Sequence, residues 1–533
     1  MYKNLKYLFI SSLFFVACSE DIKEEVIAEA PLSKGSADFT KYVALGNSLT
    51  AGYSDNALFK AGQINAYPNL MAQKFAEVGG GSFTTPLTND NVGGLLVGGN
   101  QIEGQGPRLV FYNGAPVPLN IAVPGSVPTT EIGVPLTGPF NNMGVPGAKS
   151  YHLVAPNYGN IAGLVNSTAN PYFVRFRSSA STTILNDALA QNPTFFSLWI
   201  GNNDVLGFAS SGGTGVDQTG NPNPATYGTN DISDPAMFNN VYNQIIDALT
   251  AGGRKGVVAN LPSVTSAPFF NAVPFNPITT KSLGAGLLPN GTVDQQIAAG
   301  TSAMNQLNSN LLGALDQILT ALGQPNRFQL LNASGSNPLL IVDEGLSDLG
   351  SQIQAIAAAS GNSQLVALAP FLGSVYGQAR HSTKDDLVLL TTRSVIGKPA
   401  GSPVPDLNAF GVSYPLQDQH VLVPTEITKI NTATTAFNNT IKTAAQSKGL
   451  AFVDINSIMT KLSSTGIRFD NYHMSATFAQ GGVFSWDGIH ITARANAYIA
   501  NQFLEAIERT YGAKFNKFKS QDKPITYPSF LPN

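Results

Sequence analysis

Short apolar runs, separated by stretches with helical patterning, recur from one end of the chain to the other, and this alternation constrains the fold more than any other feature. The runs lie at 42–45, 195–200, 257–261, 339–342, 387–390 and 452–455. They lack the apolar-polar alternation of a strand with one wet face, so they predict strands buried on both faces, as in a parallel sheet. Helical patterns fall between them at 67–78, 237–251, 303–322, 424–448 and 493–511. Strand and helix in turn predict an α/β fold, a three-layer α/β/α domain with a central parallel sheet.

Three segments break the rhythm: 79–139, 210–230 and 268–380, all rich in Gly, Pro, Asn and Ser. Loops of that length inside a domain are usually functional or disordered. They are read as insertions around one domain spanning 38–515, with 516–533 as a C-terminal tail. Hydrophobic residues make up 43% of the 533 and charged residues 12%, enough for a large core but leaving the surface to Asn, Ser, Thr and Gly. The net charge of -3 provides no basic field, so nucleic acid is not an expected partner.

The N-terminus reads as an export signal. Lys3 and Lys6 precede an apolar run from 7 to 17, ending Phe15-Val16-Ala17-Cys18, which is too short to span a bilayer comfortably. A small residue before a cysteine at the end of such a run resembles a lipobox, so 1–17 is expected to be a lipoprotein signal peptide and Cys18 the lipidation site. The polar stretch 18–37 then serves as a flexible tether. Cys18 is the chain's one cysteine, so no intramolecular disulfide can form. Ser19-Glu20-Asp21 resembles an acidic surface-export tag. The expected location is outside the cytoplasm, lipid-anchored at the outer membrane or cell surface.

Four blocks carry groups suited to acyl chemistry, which needs a nucleophile at a strand end, a base, and donors for the developing oxyanion. The run 42–45 leads into Gly46-Asn47-Ser48-Leu49, which places a serine at the carboxyl edge of a sheet, where open α/β sheets bind ligands. Gly361-Asn362-Ser363 repeats three of those letters, but no strand precedes it. The second block is Asn142-Met143-Gly144-Val145-Pro146-Gly147-Ala148, where Gly147 offers an unobstructed N–H. Gly125, in the near copy Val123-Pro124-Gly125-Ser126, is the fallback. The third block ends the run 195–200 with Gly201-Asn202-Asn203-Asp204, in which Asn203 supplies an NH2 donor. The fourth is Asp487-Gly488-Ile489-His490, just ahead of the last helix. A carboxylate three residues before an imidazole at such a position can fix its tautomer, and imidazole suits proton transfer near neutrality. Asp470 and His473 repeat the spacing without a long helix behind them. His152, His381 and His420 lack a carboxylate at that spacing and read as packing or surface residues.

Taken in order over nearly the whole mature chain, Gly-Asn-Ser-Leu, Asn-x-x-x-x-Gly, Gly-x-Asn-Asp and Asp-x-x-His resemble the SGNH hydrolases, also called GDSL lipases and esterases. The resemblance implies a flavodoxin-like fold and a triad of Ser48, His490 and Asp487. It also implies an oxyanion hole from the Ser48 N–H, the Gly147 N–H and the Asn203 side chain. Asn47 departs from the family, which usually has Asp before the nucleophile. The sequence contains no strand-to-helix Gly-x-Ser-x-Gly elbow of the α/β-hydrolases, no P-loop, no dinucleotide fingerprint and no spaced His/Cys metal site. No cofactor or metal is expected. The expected function is hydrolysis of carboxylic esters, with a lipid, an acylated glycan or a small ester as substrate. A carbohydrate O-deacetylase on the same scaffold, or a non-catalytic surface lipoprotein that binds glycan or lipid, is the alternative.

Overall fold

The centre of the computed structural model, which describes residues 31–532, is a parallel sheet of five strands. These are β1 (Tyr42–Gly46), β2 (Asn142–Gly144), β3 (Phe195–Trp199), β4 (Lys255–Ala259) and β5 (Ala451–Val453). In space they run 5-4-3-1-2, every neighbouring pair parallel. That order is doubly wound, with a switch point where β1 sits between β2 and β3. The expected signal peptide, Cys18 and most of the tether lie outside the described residues.

Alternate side chains of one strand feed two cores. Val43 and Leu45 of β1 enter one, together with Phe196, Leu198 and Val258. Tyr42 and Ala44 enter the other, with Phe195, Trp199 and Val257. The helices that cover the first face are α4 (Pro235–Thr250) and α5 (Pro424–Ser447), contributing Phe238, Ile245, Phe437 and Ile441. The second face is covered by α2 (Tyr67–Ala76) and α7 (Ala493–Tyr511), through Tyr67, Leu70, Phe503 and Ile507. Burying both faces is what leaves these strands apolar throughout. Among the described residues, no helix is long and apolar enough to cross a membrane.

Two of the six apolar runs do not join the sheet. Leu340–Val342 pairs antiparallel with Ala379–His381, and Leu387–Val388 pairs antiparallel with Val421–Leu422. The first pair belongs to a third core that draws on residues from Val273 to Val423; the second straddles two cores, Val388 and Val421 entering the third and Leu389 and Leu422 the first. The insertion expected at 268–380 therefore extends some forty residues further and builds its own apolar interior. It includes the helix pairs Thr280–Leu287 with Val293–Leu307 and Gly350–Ala359 with Ser363–Tyr376. Apolar runs report burial, not the sheet that does the burying. Conversely β2, with the sequence Asn-Met-Gly, has no apolar run to announce it.

Both ends of the domain lie beyond the boundaries expected from the sequence. Ser33 and Lys514 exchange backbone hydrogen bonds of 3.1 and 2.7 Å, and Ala37 is buried, so residues 33–37 pack on the body. In the expected tail, Phe518 and Tyr527 are buried. The Pro528 carbonyl accepts from the buried Arg108 guanidinium at 2.5 Å.

The short helix α1 (Ser48–Ala51) leaves the end of β1 so closely that only glycine fits beside it. A Cβ on Gly46 would lie 2.1 Å from Thr50 Oγ1, and one on Gly144 would lie 2.3 Å from the Ala51 nitrogen. A methyl group there must displace backbone, and overpacking of this kind costs about 1–3 kcal/mol. Gly144→Ala is therefore expected to lower the thermal unfolding midpoint. Gly286→Ala is the control: it sits in a helix, exposed, with no atom within 4 Å of the added carbon, and should leave the midpoint unchanged or raise it. Equal effects of the two changes would refute the close-approach argument.

Candidate active site

Asn47 organises the turn that carries Ser48. Its side-chain oxygen accepts from the Leu49 N–H at 3.1 Å and so caps α1, while its Nδ2 donates to Asn202 Oδ1 at 3.1 Å. Capping satisfies an orphan donor at the helix start. The second bond ties the end of β1 to the end of β3. A carboxylate at 47 could cap α1 but has no proton to donate to the Asn202 oxygen, so Asn at this position goes with Asn202 opposite.

Ser48 Oγ lies 2.9 Å from His490 Nε2, and His490 Nδ1 lies 2.8 Å from Asp487 Oδ2. The imidazole is largely enclosed, with the Tyr53 ring 4.6 Å from it, centroid to centroid. Every remaining direction around the Asp487 carboxylate is occupied. Oδ1 accepts from the N–H groups of Ile489 (2.9 Å) and His490 (2.8 Å) and from Ser485 Oγ (3.1 Å), and Oδ2 also accepts from the Asn56 N–H at 2.9 Å. Burial by itself would raise the pKa of this carboxyl, but the facing imidazole and these donors outweigh it and hold Asp487 well below the usual carboxylate range. Asp487 is thus an anion that fixes one imidazole nitrogen as a donor and leaves the other free to accept from the serine.

The oxyanion candidates sit on two neighbouring segments. Val145 donates to the Gly46 carbonyl at 3.0 Å, which places the following turn beside the end of β1. In that turn Ala148 N–H closes on the Val145 carbonyl (3.1 Å) with Gly147 at φ +80, the geometry of a Pro-Gly type II turn. Asn203, the first residue of α3 (Asn203–Ser210), donates from Nδ2 to the Ala148 carbonyl at 2.9 Å. Its second amide hydrogen remains available. Among the described residues, neither the Ser48 nor the Gly147 N–H makes a hydrogen bond within the protein. Asn203, Ser48 and His490 line one cavity; Gly147 stands on the adjoining turn and is not part of its wall.

The near copy at Gly125 forms the same kind of turn (Ser126 N–H to Val123 carbonyl, φ +89) but is exposed, with no atom within 4 Å of its Cβ position. Asn362 caps a helix of the insertion. The second Asp-His pair does not come together: Asp470 accepts from the Ser520 N–H (2.7 Å), and His473 lies in an antiparallel hairpin. His152, His381 and His420 each accept a backbone N–H through Nδ1, from Lys149, Gln329 and Gln417. Burial lowers all three, His152 to about 3 and His381 to about 4.

Two acidic residues were given no role of their own by the sequence reading. Asp204 takes both the N–H (2.8 Å) and Oγ (2.7 Å) of Ser150 and so clamps the Gly147 turn to α3. Asp55 is buried in a tight turn with Asn56, both at positive φ, closed by mutual Ser54 and Ala57 bonds of 3.0 Å. Its N–H donates to Ser485 Oγ (2.9 Å), and its Oδ1 accepts from the Trp486 N–H (3.1 Å). The turn thereby holds the loop that carries Asp487 and His490. An Asp-Asn pair at a sharp turn is a visible signal, but its partner is 430 residues away.

The chain therefore has an α/β fold around a five-stranded parallel sheet, with a serine, an imidazole and a carboxylate in one hydrogen-bonded line at its carboxyl edge. No protein-family model, curated protein or solved structure matches the chain.

Burial, opposed by the Trp486 N–H and reinforced by the nearby Asp487, raises Asp55 from 3.8 to about 7, and its Oδ2 is enclosed without a partner among the described residues. Folded Asp55 keeps its proton to a higher pH than the unfolded chain does. Its contribution to stability is therefore intact below about 4 and is lost as pH rises through about 7, a difference on the order of a few kcal/mol. Asp55→Asn keeps the Trp486 acceptor and cannot ionise, so its stability relative to the parent should rise between pH 5 and pH 8 in urea unfolding. A constant offset at the two pH values would refute this.

Proposed function

We propose that the protein is a serine ester hydrolase of the SGNH (GDSL) type, acting on carboxylic esters through an acyl-enzyme on Ser48. The observation that carries the reading is the continuous line from Ser48 Oγ through His490 to Asp487, at 2.9 and 2.8 Å. The strand order 2-1-3-4-5, counted from the edge, agrees with a flavodoxin-like scaffold.

In this reading the Ser48 oxygen attacks the ester carbonyl as His490 Nε2 takes its proton, and Asp487 stabilises the imidazolium that forms without taking that proton itself. The oxyanion receives the Ser48 and Gly147 N–H groups and the Asn203 amide, the donors with hydrogen-bonding capacity to spare. His490 then protonates the departing alcohol, and water releases the acid by the same steps in reverse order of roles.

The proposal includes export and diacylation at Cys18, with 18–32 linking a lipid anchor to the body. Mass spectrometry of the mature N-terminus tests this part. A diacylated Cys18 is expected, and an unmodified N-terminus downstream of it would remove the membrane assignment.

Hydrolysis of p-nitrophenyl acetate by the body from residue 32 onward is the first measurement. Ser48→Ala should reduce kcat on the order of a million-fold, Asp487→Asn by about 10⁴-fold through the wrong tautomer, and Asn203→Ala by about 10²- to 10³-fold through loss of one oxyanion donor. Hydrolysis by Ser48→Ala at the parent's rate would overturn the assignment to this site.

A further inference from the structure

Behind the candidate nucleophile, the cavity that holds it shares a wall with a second, apolar cavity. The first is lined by Ser48, Asn203 and His490 together with Leu206, Val264 and Ala267. The second runs between α7 and the helix α6 (Ile455–Ser464). Leu49, Pro262, Met459, Phe484 and Ile489 line both.

The two cavities also share a chemistry. The far one is walled by Ile455, Ile458, Leu462, Ile499 and Ala495, and among its lining residues Trp199 and Tyr498 are the ones whose side chains carry a nitrogen or oxygen. The Trp199 indole N–H is already committed to the Asn260 carbonyl at 3.1 Å. A sugar or charged headgroup would find almost no partner there, and burying unpaired polar groups is costly. An unfilled apolar void is costly too, because its lining loses packing contacts. Neighbouring residues of the same 263–268 segment, Thr265 and Ser266, line a separate groove with Asn271, Arg393 and His473, so polar lining is available in this molecule and is absent behind Ser48.

We infer that the paired cavities form the acyl-chain site: the ester's acyl group bonds at Ser48 and its hydrocarbon chain passes the Met459 and Phe484 wall into the far cavity. This inference rests on the ester-hydrolase reading and narrows it to esters of unbranched fatty acids longer than acetate. The carbonyl carbon must reach Ser48 Oγ, and the acyl group remains bonded there after the alcohol has left, so the cavity that begins at the serine is assigned to the acyl chain. An acetyl group would occupy only the mouth and leave the far cavity empty. Methionine at the shared wall suits this role, since its unbranched side chain changes rotamer easily.

The test is a series of p-nitrophenyl esters, acetate, butyrate and octanoate, on the parent and on two variants that fill the far cavity, Ile458→Trp and Ala495→Leu, each checked for a parent-like unfolding midpoint. In the parent, kcat/KM should rise from acetate to octanoate. In each folded variant the octanoate-to-acetate ratio should fall by about tenfold or more, since single methylenes in an apolar pocket already carry about 10- to 200-fold. A parent that prefers acetate, or folded variants with an unchanged ratio, would overturn the acyl-site assignment while leaving the serine mechanism in place. Calorimetric binding of octanoic acid to Ser48→Ala reads the cavity without turnover. Binding that Ile458→Trp abolishes in that background supports the site even where no ester is hydrolysed, and no binding together with no chain-length preference overturns it.

Discussion

The candidate site depends on how closely the serine-bearing turn passes over the ends of two strands. Gly46 and Gly144 leave no room for a side chain between β1, β2 and α1. This contact removes slack from the position of Ser48. With α1 pressed onto the sheet, the Asn142 side chain can donate to the Thr50 carbonyl at 2.9 Å and accept from the Gly144 N–H at 3.0 Å. The same strand end then delivers the Val145–Ala148 turn to Asn203. A nucleophile held by packed backbone on a rigid sheet loses little freedom on the way to reaction, and geometry of that kind is where proximity and preorganised donors act.

His490 and Asp487 stand on a loop rather than on the sheet, and the molecule compensates by gripping that loop from three sides. The Asp55–Asn56 turn takes hold of Ser485, Trp486 and Asp487 through backbone and side chain. The insertion that follows α2 adds Phe111, which stacks on Trp486 at 5.0 Å, and its Leu109 N–H reaches the Asp55 carbonyl at 2.7 Å. The start of the large insertion adds Phe269, whose N–H donates to the Gly488 carbonyl at 3.0 Å. Segments that look like surface elaboration in the sequence thus buttress the site. Their glycine and proline content reflects the tight turns that bring them there.

The grouping of the candidate site residues was legible in the sequence where a motif coincided with an element boundary. Ser48 and Asn203 both follow apolar strands, and His490 precedes a strongly amphipathic helix, so local pattern was enough to place them at one edge. Position was not legible where local pattern repeats. Val-Pro-Gly folds into the same turn at Gly125 and at Gly147, and only pairing with the end of β1 distinguishes them. The run 339–342 is as apolar as β4, yet its partner is 379–381 within a separate core. Asp55 and Asp204 were given no role of their own because their work is done on residues 54 to 430 positions away, or on a turn whose own location was undecided. Sequence periodicity records that a residue is buried; which surface buries it is a property of the long-range contacts.

Asp55 and Asp487 show how one small region assigns opposite states to identical groups. Asp487 receives four donors besides the imidazole, and Asp55 receives one at Oδ1 and none at Oδ2 among the described residues. Both are removed from solvent, so hydrogen bonding and charge decide the outcome. The well-solvated carboxylate stays ionised, and the poorly solvated one keeps its proton until about pH 7. In the proposed mechanism, a second negative charge at Asp55 would add to the field of Asp487 on the imidazolium. Its protonation below about pH 7 leaves Asp487 as the anion that sets the imidazole's orientation, which is the division of roles that pairs of perturbed carboxyls commonly serve.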